Sequence, residues 1–411
     1  MAMYVDLNKE LTAEEQSVKE ETHKFAAEVL RPASIELDSL SPEDVIAEGS
    51  IHWEVFRKAY QQGYHSSSLP EQLGGADLST LSRHIHAEEM GWGSADFAIA
   101  IGVTAFPFTF AAMSGNQDLI KNVVVPFAED REGKYIGCWA ITEPHHGSDS
   151  LLIGTEQFGD AKMAFECAAR PDGDEWVING QKAAWVSNGT IATHACTFLS
   201  IDSSKGMAGG GVAIIPLDLP GVSRGKPLNK LGQRALNQGE IFFDNVRIPK
   251  HYMVIQPAGY PFIIDNILAG ANAGMSAIFT GVARAAFEEA LAYCKQRVQG
   301  GKPIAEHQLV QKKLFDMFIK VESARSLSRA AMTYNAATNP PATQYSIAAK
   351  VYCTEAAFEV ASDAIQLFGG YGLARDLPVE KLFRDARASM IEDGTNEVLS
   401  LAGARKLIDT Y

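Results

Sequence analysis

The sequence predicts an α+β fold, mainly α, in which a helical part, a middle antiparallel β part and a C-terminal helical bundle follow one another. Three observations carry that expectation. Apolar residues recur at helical spacing through the first third of the chain, short alternating or β-branched runs replace them from about Tyr135, and helical periodicity returns from about Gly259. The chain is accordingly divided into 1–134, 135–254 and 255–411.

Thr12 and Glu15 form a capping box ahead of a helical run from Gln16 to Leu37, with Val18, Phe25, Val29 and Leu30 as its apolar positions. Trp53 to Tyr64 and Ser79 to Met90 read as further helices around a Pro/Gly turn at Leu69 to Gly75. Asp96 is placed to cap the apolar run Phe97 to Thr104, a ligand-facing role being the alternative. Strands are expected at Met163–Arg170, Trp176–Ile178, Ala195–Ile201, Gly211–Pro216 and Gly239–Pro249, with turns at Pro171–Asp174 and Asp244–Pro249 between and within them. Ala283–Arg297, Leu309–Asn335 and Ser346–Leu367 are long, Ala-rich amphipathic helices, and Asn339-Pro340-Pro341 breaks the last two apart.

The 411 residues are 46% hydrophobic and 21% charged, ample for large cores. A net charge of −14 argues against binding nucleic acid or an anionic membrane surface, since either needs a basic face. Cys138, Cys167, Cys196, Cys294 and Cys353 are scattered, without a C-x-x-C pair, which fits a reducing compartment. No signal or transit pattern opens the sequence, and no later apolar run is read as long enough to span a membrane. A soluble cytoplasmic enzyme is expected, with a processed organellar form as the alternative.

Four segments carry chemistry-bearing residues. Trp139–Asp149 (WAITEPHHGSD) joins a strand edge to a turn that presents hydroxyls and backbone N–H groups, able to stabilise a developing anion, or else simply a solvated loop. His145 and His146 are adjacent and point apart, so they are read as loop residues and no metal site is expected. Asn179–Gly189 (NGQKAAWVSNG) sets an aromatic, Trp185, beside Ser187, the alternative being a plain core tryptophan. Arg297 with Glu306-His307-Gln308 is suited to charge-assisted contacts, or to a surface ion pair. Gln366–Glu397 contains glycines Gly369, Gly370 and Gly372, a helix opened by Pro378, and Asp393-Gly394-Thr395.

Together with Leu231–Pro249, these segments resemble the acyl-CoA dehydrogenases over nearly the whole chain. That family comprises flavoproteins which oxidise acyl thioesters between the α and β carbons. The resemblance implies an N-terminal helical domain, a middle β domain, a C-terminal four-helix bundle, bound FAD, and a homotetramer built as a dimer of dimers. It implies flavin contacts from Trp139, Ile141, Thr142, Ser148, Trp185, Ser187, Thr395 and Glu397. Across a subunit interface, Arg297, His307, Gln308, Gln366, Gly369 and Gly370 would reach the same cofactor. Ser148, Leu268, Asn272 and Gly394 would contact the acyl-CoA or acyl-carrier thioester, and electrons would pass to an electron-transferring flavoprotein. Leu231–Pro249 is assigned a structural role.

Asp393 would be the base, held on one face of the Cα–Cβ bond. Most of the family carries a glutamate there, one methylene longer, and some place it where Ala271 stands here; the usual neighbouring arginine is Asn272. Glu392 is expected to point away, and Asp393 could instead hydrogen-bond locally. The phenylalanine common three residues after the arginine is Gly300, and one extra residue separates Lys182 from Trp185. The acyl pocket departs from the straight-chain pattern, which suggests a branched or cyclic acyl group. The same fold also supports an enoyl-CoA reductase running in reverse, or an oxidase or monooxygenase like nitroalkane oxidase. That enzyme uses an aspartate here with an arginine seven residues on, where this chain has Ser400. A non-catalytic, DNA-associated relative is disfavoured by the acidic charge.

Overall fold

The computed structural model describes residues 11–410. Helix α1 (Ala13–Phe25) begins at the expected capping box, with Thr12 Oγ1 accepting from Glu15 N–H and Glu15 Oε2 accepting from Thr12 N–H. It continues through a wider π-type turn at Ala26–Leu30 into α2 (Arg31–Asp38), so one apolar stripe is shared by both. Helices α3 (Ile51–Gln61), α4 (Thr80–Gly93), α5 (Ala95–Thr104) and α6 (Phe106–Met113) complete the principal helices before the sheet.

The sheet has eight strands: β1 (Gly137–Ala140), β2 (Ala168–Asp172), β3 (Glu175–Ser187), β4 (His194–Ser200), β5 (Gly210–Pro216), β6 (Val222–Arg224), β7 (Gln238–Pro249) and β8 (Met253–Ile255). Their order is β6-β7-β3-β1-β4-β5-β8, with β2 bridging β3 and β4. Most pairs are antiparallel, as expected, but β1 and β2 each run parallel to β4. Periodicity alone sets strand identity and leaves direction to the loops.

The C-terminal bundle consists of α7 (Tyr260–Gln296), α8 (Gln308–Ala336), α9 (Thr343–Phe368), α10 (Pro378–Ser389) and α11 (Asn396–Thr410). Two stretches, Ala95–Met113 and Tyr260–Gln296, are long and apolar enough to cross a membrane by length and composition, which corrects the reading that none is. Both are packed against the protein, and Phe97, Phe108, Phe198, Tyr260 and Phe279 belong to one continuous core that unites helices and sheet.

Helices α4 and α7 cross at glycines. A Cβ on Gly91 would stand 2.0 Å from Ile278 O, and one on Gly281 2.0 Å from Glu88 O. Beside this crossing, Glu88 and Glu89 of α4 are buried against Arg284 of α7 and Arg325 of α8, with Arg284 Nη1 2.8 Å from Glu88 Oε1 and Arg325 Nη2 2.9 Å from it. Burial works against a charged Glu88, yet the arginines hold its carboxyl well below the usual range.

Asp96 departs from its assigned role. Ser94 caps α5 instead, accepting from Phe97 N–H at 3.1 Å. Asp96, fully buried, shares the Phe97 N–H at 3.0 Å but also accepts from Ser34 Oγ, Ala235 N–H and Lys381 Nζ. A capping residue and a buried ion-pair partner have the same local sequence, and only the distant Lys381 distinguishes them.

The α4–α7 crossing leaves no room for a methyl group. Gly281→Ala is expected to lower unfolding free energy by about 3 kcal/mol, the upper range of overpacking costs, measured by urea denaturation. An unchanged midpoint would mean that the helices separate freely at this point.

Candidate active site

The site is built from two chain segments that meet end to side. The first is the turn after β1. Glu143 N–H donates to His146 O and His146 N–H to Glu143 O, closing a tight turn. The Glu143 side chain folds underneath, where it accepts from Glu166 N–H and Cys167 N–H at 2.7 and 3.0 Å and pairs with Lys182 at 2.7 Å. Lys182 also donates to Ile141 O at 3.1 Å, and Ala183 N–H to Thr142 O at 2.8 Å. Both ions are fully buried, so their mutual attraction and these backbone contacts must offset their desolvation. The two motifs around Thr142 and Trp185 are thereby one structural unit.

Trp139 lies directly opposite Ser187 in the β1–β3 register, its ring packed against Phe106 and Phe198. Thr142 and Ser187 are half-buried, and Trp185 is 59% exposed. The β3–β7 register shifts between Lys182 and Val186, so the extra residue noted in the sequence is absorbed in a bulge that turns Trp185 outward. Gln238 Nε2 donates to both Trp185 O and Ser187 Oγ at 3.3 Å, and Gln238 Oε1 accepts from Lys230 Nζ at 2.8 Å. Burial pushes the Lys230 ammonium down to about 8.

The second segment is the turn between α10 and α11. Asp393 has φ +54° and Gly394 φ +98°, and Asn396 N–H closes the turn onto Met390 O at 3.0 Å. An aspartate in the left-handed region is uncommon and held only where its surroundings over-determine it. Those surroundings come from three sides. Lys350 of α9 donates to Gly394 O and to Asn396 Oδ1, each at 2.8 Å. Gln233, from the loop before β7, donates to Glu392 Oε1 at 2.6 Å. Thr395 N–H donates to Ser148 Oγ at 3.0 Å, joining the two segments.

The Asp393 carboxylate takes no hydrogen bond from the described residues, unlike the local cap the sequence left open. Solvent reaches its side chain, yet protein surrounds it closely enough that burial raises its pKa, with the Lys350 charge acting in the opposite sense. Glu392 turns away to Gln233, as expected, and burial pushes it up to about 7.

The remaining sequence-assigned residues fall elsewhere. Arg297, Gln308, Gln366, Gly369 and Gly370 are exposed, and Arg297 lies 5.7 Å from the Tyr371 ring centre. His307 is half-buried, its Nε2 2.9 Å from Gln299 O. Among the described residues, no hydrogen bond or ion pair links this group to the Trp139–Ser187 strands. Gly300 and Gly301, with φ +65° and +83°, form the two-residue turn of a hairpin between Val298–Gln299 and Lys302–Pro303, which accounts for glycine at that point. Leu268 and Asn272 are buried, Asn272 Nδ2 bonding back to Leu268 O, with its Oδ1 unpaired. Glu397 is exposed in the first turn of α11. His145 pairs with Glu166 and His146 with Asp149, and no cluster able to hold a metal occurs among the described residues.

Sequence reasoning missed Lys350, Gln233, Gln238 and the Glu143–Lys182 pair. A lysine inside an Ala-rich helix at an otherwise buried position was the available signal for Lys350. Gln233 carried a weaker one, as part of a loop assigned only structure.

Comparison with known proteins accords with this geometry. Residues 12–130, 138–246 and 258–408 match the families described as acyl-CoA dehydrogenase N-terminal, middle and C-terminal domain. The mitochondrial short-chain specific acyl-CoA dehydrogenase of Rattus norvegicus is 31% identical over 405 residues, covering 98% of this chain and 92% of that protein. The short-chain specific enzyme of Clostridium acetobutylicum is 31% identical over 399 residues, covering 97% and 98%. Among solved structures, butyryl-CoA dehydrogenase from Megasphaera elsdenii superposes with a TM-score of 0.84 at 29% identity, covering 98% of this chain and all of that one.

Lys182→Met leaves the Glu143 carboxylate buried without its cation and is expected to cost about 3–5 kcal/mol of stability. Adding Glu143→Gln should restore part of that loss, since the uncompensated charge is removed. Chemical denaturation of the two variants is the check, and equal stability of both would remove the pair from its assigned role.

Proposed function

We propose, for a chain that belongs to the acyl-CoA dehydrogenase family, that Asp393 removes the α-proton of a short acyl-CoA as the β-hydrogen leaves as hydride, giving the enoyl thioester. Members of the family are FAD-dependent oxidoreductases acting on CH–CH groups. The observation that carries the proposal is the contact between two segments 247 residues apart, Thr395 N–H to Ser148 Oγ. It joins the turn that bears Asp393 to the turn after β1 on which Thr142 lies.

The donors present fit such a flavin. Thr142 and Ser187 offer hydroxyls on adjoining structure, Trp185 offers an exposed indole face, and Arg297, Gln308 and Gln366 offer exposed charge-assisted and amide contacts suited to a pyrophosphate. When bound, FAD supplies the acceptor for two electrons. The chain's own part is to orient the thioester at Ser148 and Gly394, shield it from water, and hold the carboxylate of Asp393 at the α-carbon. A raised pKa strengthens Asp393 as a base and sets the pH below which it is protonated and idle.

A short acyl chain is favoured over the branched or cyclic group suggested by the sequence, on the strength of the relatives' names. Transfer of electrons to an electron-transferring flavoprotein belongs to the same reading. So does a dimer of dimers. Leu309, Tyr371 and Leu373 are 84%, 57% and 76% exposed in the segments that carry Gln308, Gln366 and Gly370, an apolar face suited to a second copy. One residue favours a second reading, since an aspartate base also suits a nitroalkane oxidase. Ser400 weighs against it, its hydroxyl engaged with Asn396 O at 2.7 Å.

Anaerobic mixing of the flavin-loaded protein with butyryl-CoA and with longer, branched and cyclic acyl-CoAs is expected to bleach the flavin, fastest with the short chain. Asp393→Asn should retain flavin and lose at least about 10²-fold in rate. The rate should fall as pH drops through the pKa of Asp393, because only the carboxylate accepts the proton. Turnover of a nitroalkane with oxygen, and of no thioester, would overturn the proposal.

A further inference from the structure

The base is held by a turn whose stability is not local, and the group that holds it from below is a buried cation. Lys350 lies within α9, fully buried in a helix otherwise packed through Ile347, Ala349, Cys353 and Ala357. A lysine in that position is costly unless its ammonium is used. Its contacts are specific: Gly394 O and Asn396 Oδ1, both at 2.8 Å, one residue and three residues beyond Asp393. Asn396 in turn donates to Thr354 Oγ1 at 3.0 Å, which fixes the amide so that its oxygen faces the ammonium.

The geometry points to Lys350 as the positioning residue of Asp393, fixing the aim of its carboxylate through the Gly394 carbonyl and the Asn396 amide that close the same turn. The assignment rests on reading Asp393 as the base. Two consecutive residues at positive φ have no helical hydrogen bonds to keep them in place, so the peptide between Gly394 and Thr395 is held from outside, its carbonyl by Lys350 and its N–H by Ser148 Oγ. Asp393 stands immediately before Gly394, so the grip on that peptide limits the backbone that carries its side chain. The charged groups facing Lys350 are Glu355 on its own helix, Glu392 and Asp393 in the turn, and Glu397 on α11. Of the two in the turn, Glu392 is committed to Gln233, which leaves Asp393 as the carboxylate there without a partner. Burial pushes Lys350 down to about 8 while these acids pull it up, so the ammonium is largely charged near neutrality. Asp393 shows the reciprocal effect, its pKa lowered by Lys350 against the rise from burial.

The test separates charge from packing. Protein carrying ¹³C-carboxyl aspartate and loaded with flavin is titrated by NMR, the Asp393 signal being the one missing from Asp393→Asn. In Lys350→Met the Asp393 midpoint should move to higher pH, and in Lys350→Arg it should stay near that of the unaltered protein, because the charge is kept. Lys350→Gln, a neutral donor, serves if Lys350→Met does not fold, with the same upward move expected. α-Proton exchange of butyryl-CoA in deuterated water should slow by about 10²-fold in the neutral variants, the scale of misplacing a reacting group by about 1 Å. An unmoved midpoint in the neutral variant, or an equal move in Lys350→Arg, overturns the assignment. A midpoint that moves as expected, in protein that exchanges no acyl-CoA proton in any form, supports the assignment and overturns the dehydrogenation reading instead.

Discussion

Helix α10 is held by buried charges, and the placement of Asp393 depends on that seam. Lys381 reaches Asp96 of α5 and Asp385 of its own helix, and Asp385 receives the backbone N–H of Gln233 from the loop before β7. One turn away, Arg384 pairs with Asp38 of α2 and donates to Leu231 O at 2.8 Å. Burial works against the Asp96 carboxylate, yet Lys381 holds its pKa below the usual range, while Asp385 is raised by burial, with the facing Asp96 adding to the rise. Three parts of the chain therefore close on a single helix through interactions that tolerate little displacement, because a buried charge that loses its partner is far worse than one that never had it. The turn bearing Asp393 follows directly from the end of that helix.

That turn sits in an unusual electrostatic setting. Glu392, Lys350 and Lys230 are all displaced toward neutrality by burial, to about 7, 8 and 8. Each is committed to a neighbour: Glu392 to Gln233, Lys350 to Gly394 O and Asn396, Lys230 to Leu236 O and Gln238. Asp393, between them, takes no hydrogen bond from the described residues. A preorganised set of satisfied groups around one unsatisfied carboxylate is the arrangement expected where a proton is to be taken from a bound molecule.

The limits of the sequence are seen in individual residues. Thr12 with Glu15 and Pro378 declared their helices, because capping is a matter of neighbours three or four residues away. Asp96 misled for the same reason: its local context is that of a cap, and its partners lie in Ala235 and Lys381. Trp185 looked misplaced by one residue until the bulge between Lys182 and Val186 absorbed the difference. Gly300 read as a missing phenylalanine, whereas a hairpin turn needs positive φ there. Lys350 could be seen as an oddity in an apolar helix, but nothing adjacent in the chain says that it meets Gly394.

The sequence by itself determined the class of fold, most of the long helices and central strands in their order, and the family resemblance that singled out Asp393, Thr142 and Trp185. These are properties of short-range periodicity, capping and motif spacing, each settled within a dozen residues. The tertiary structure alone decided that β1 runs parallel to β4, that Ser148 meets Thr395, and that Lys350 and Gln233 grip the turn of the base from two sides. Those facts depend on contacts between residues far apart in the chain, whose energies come from burial and charge pairing that exist only once the core has closed.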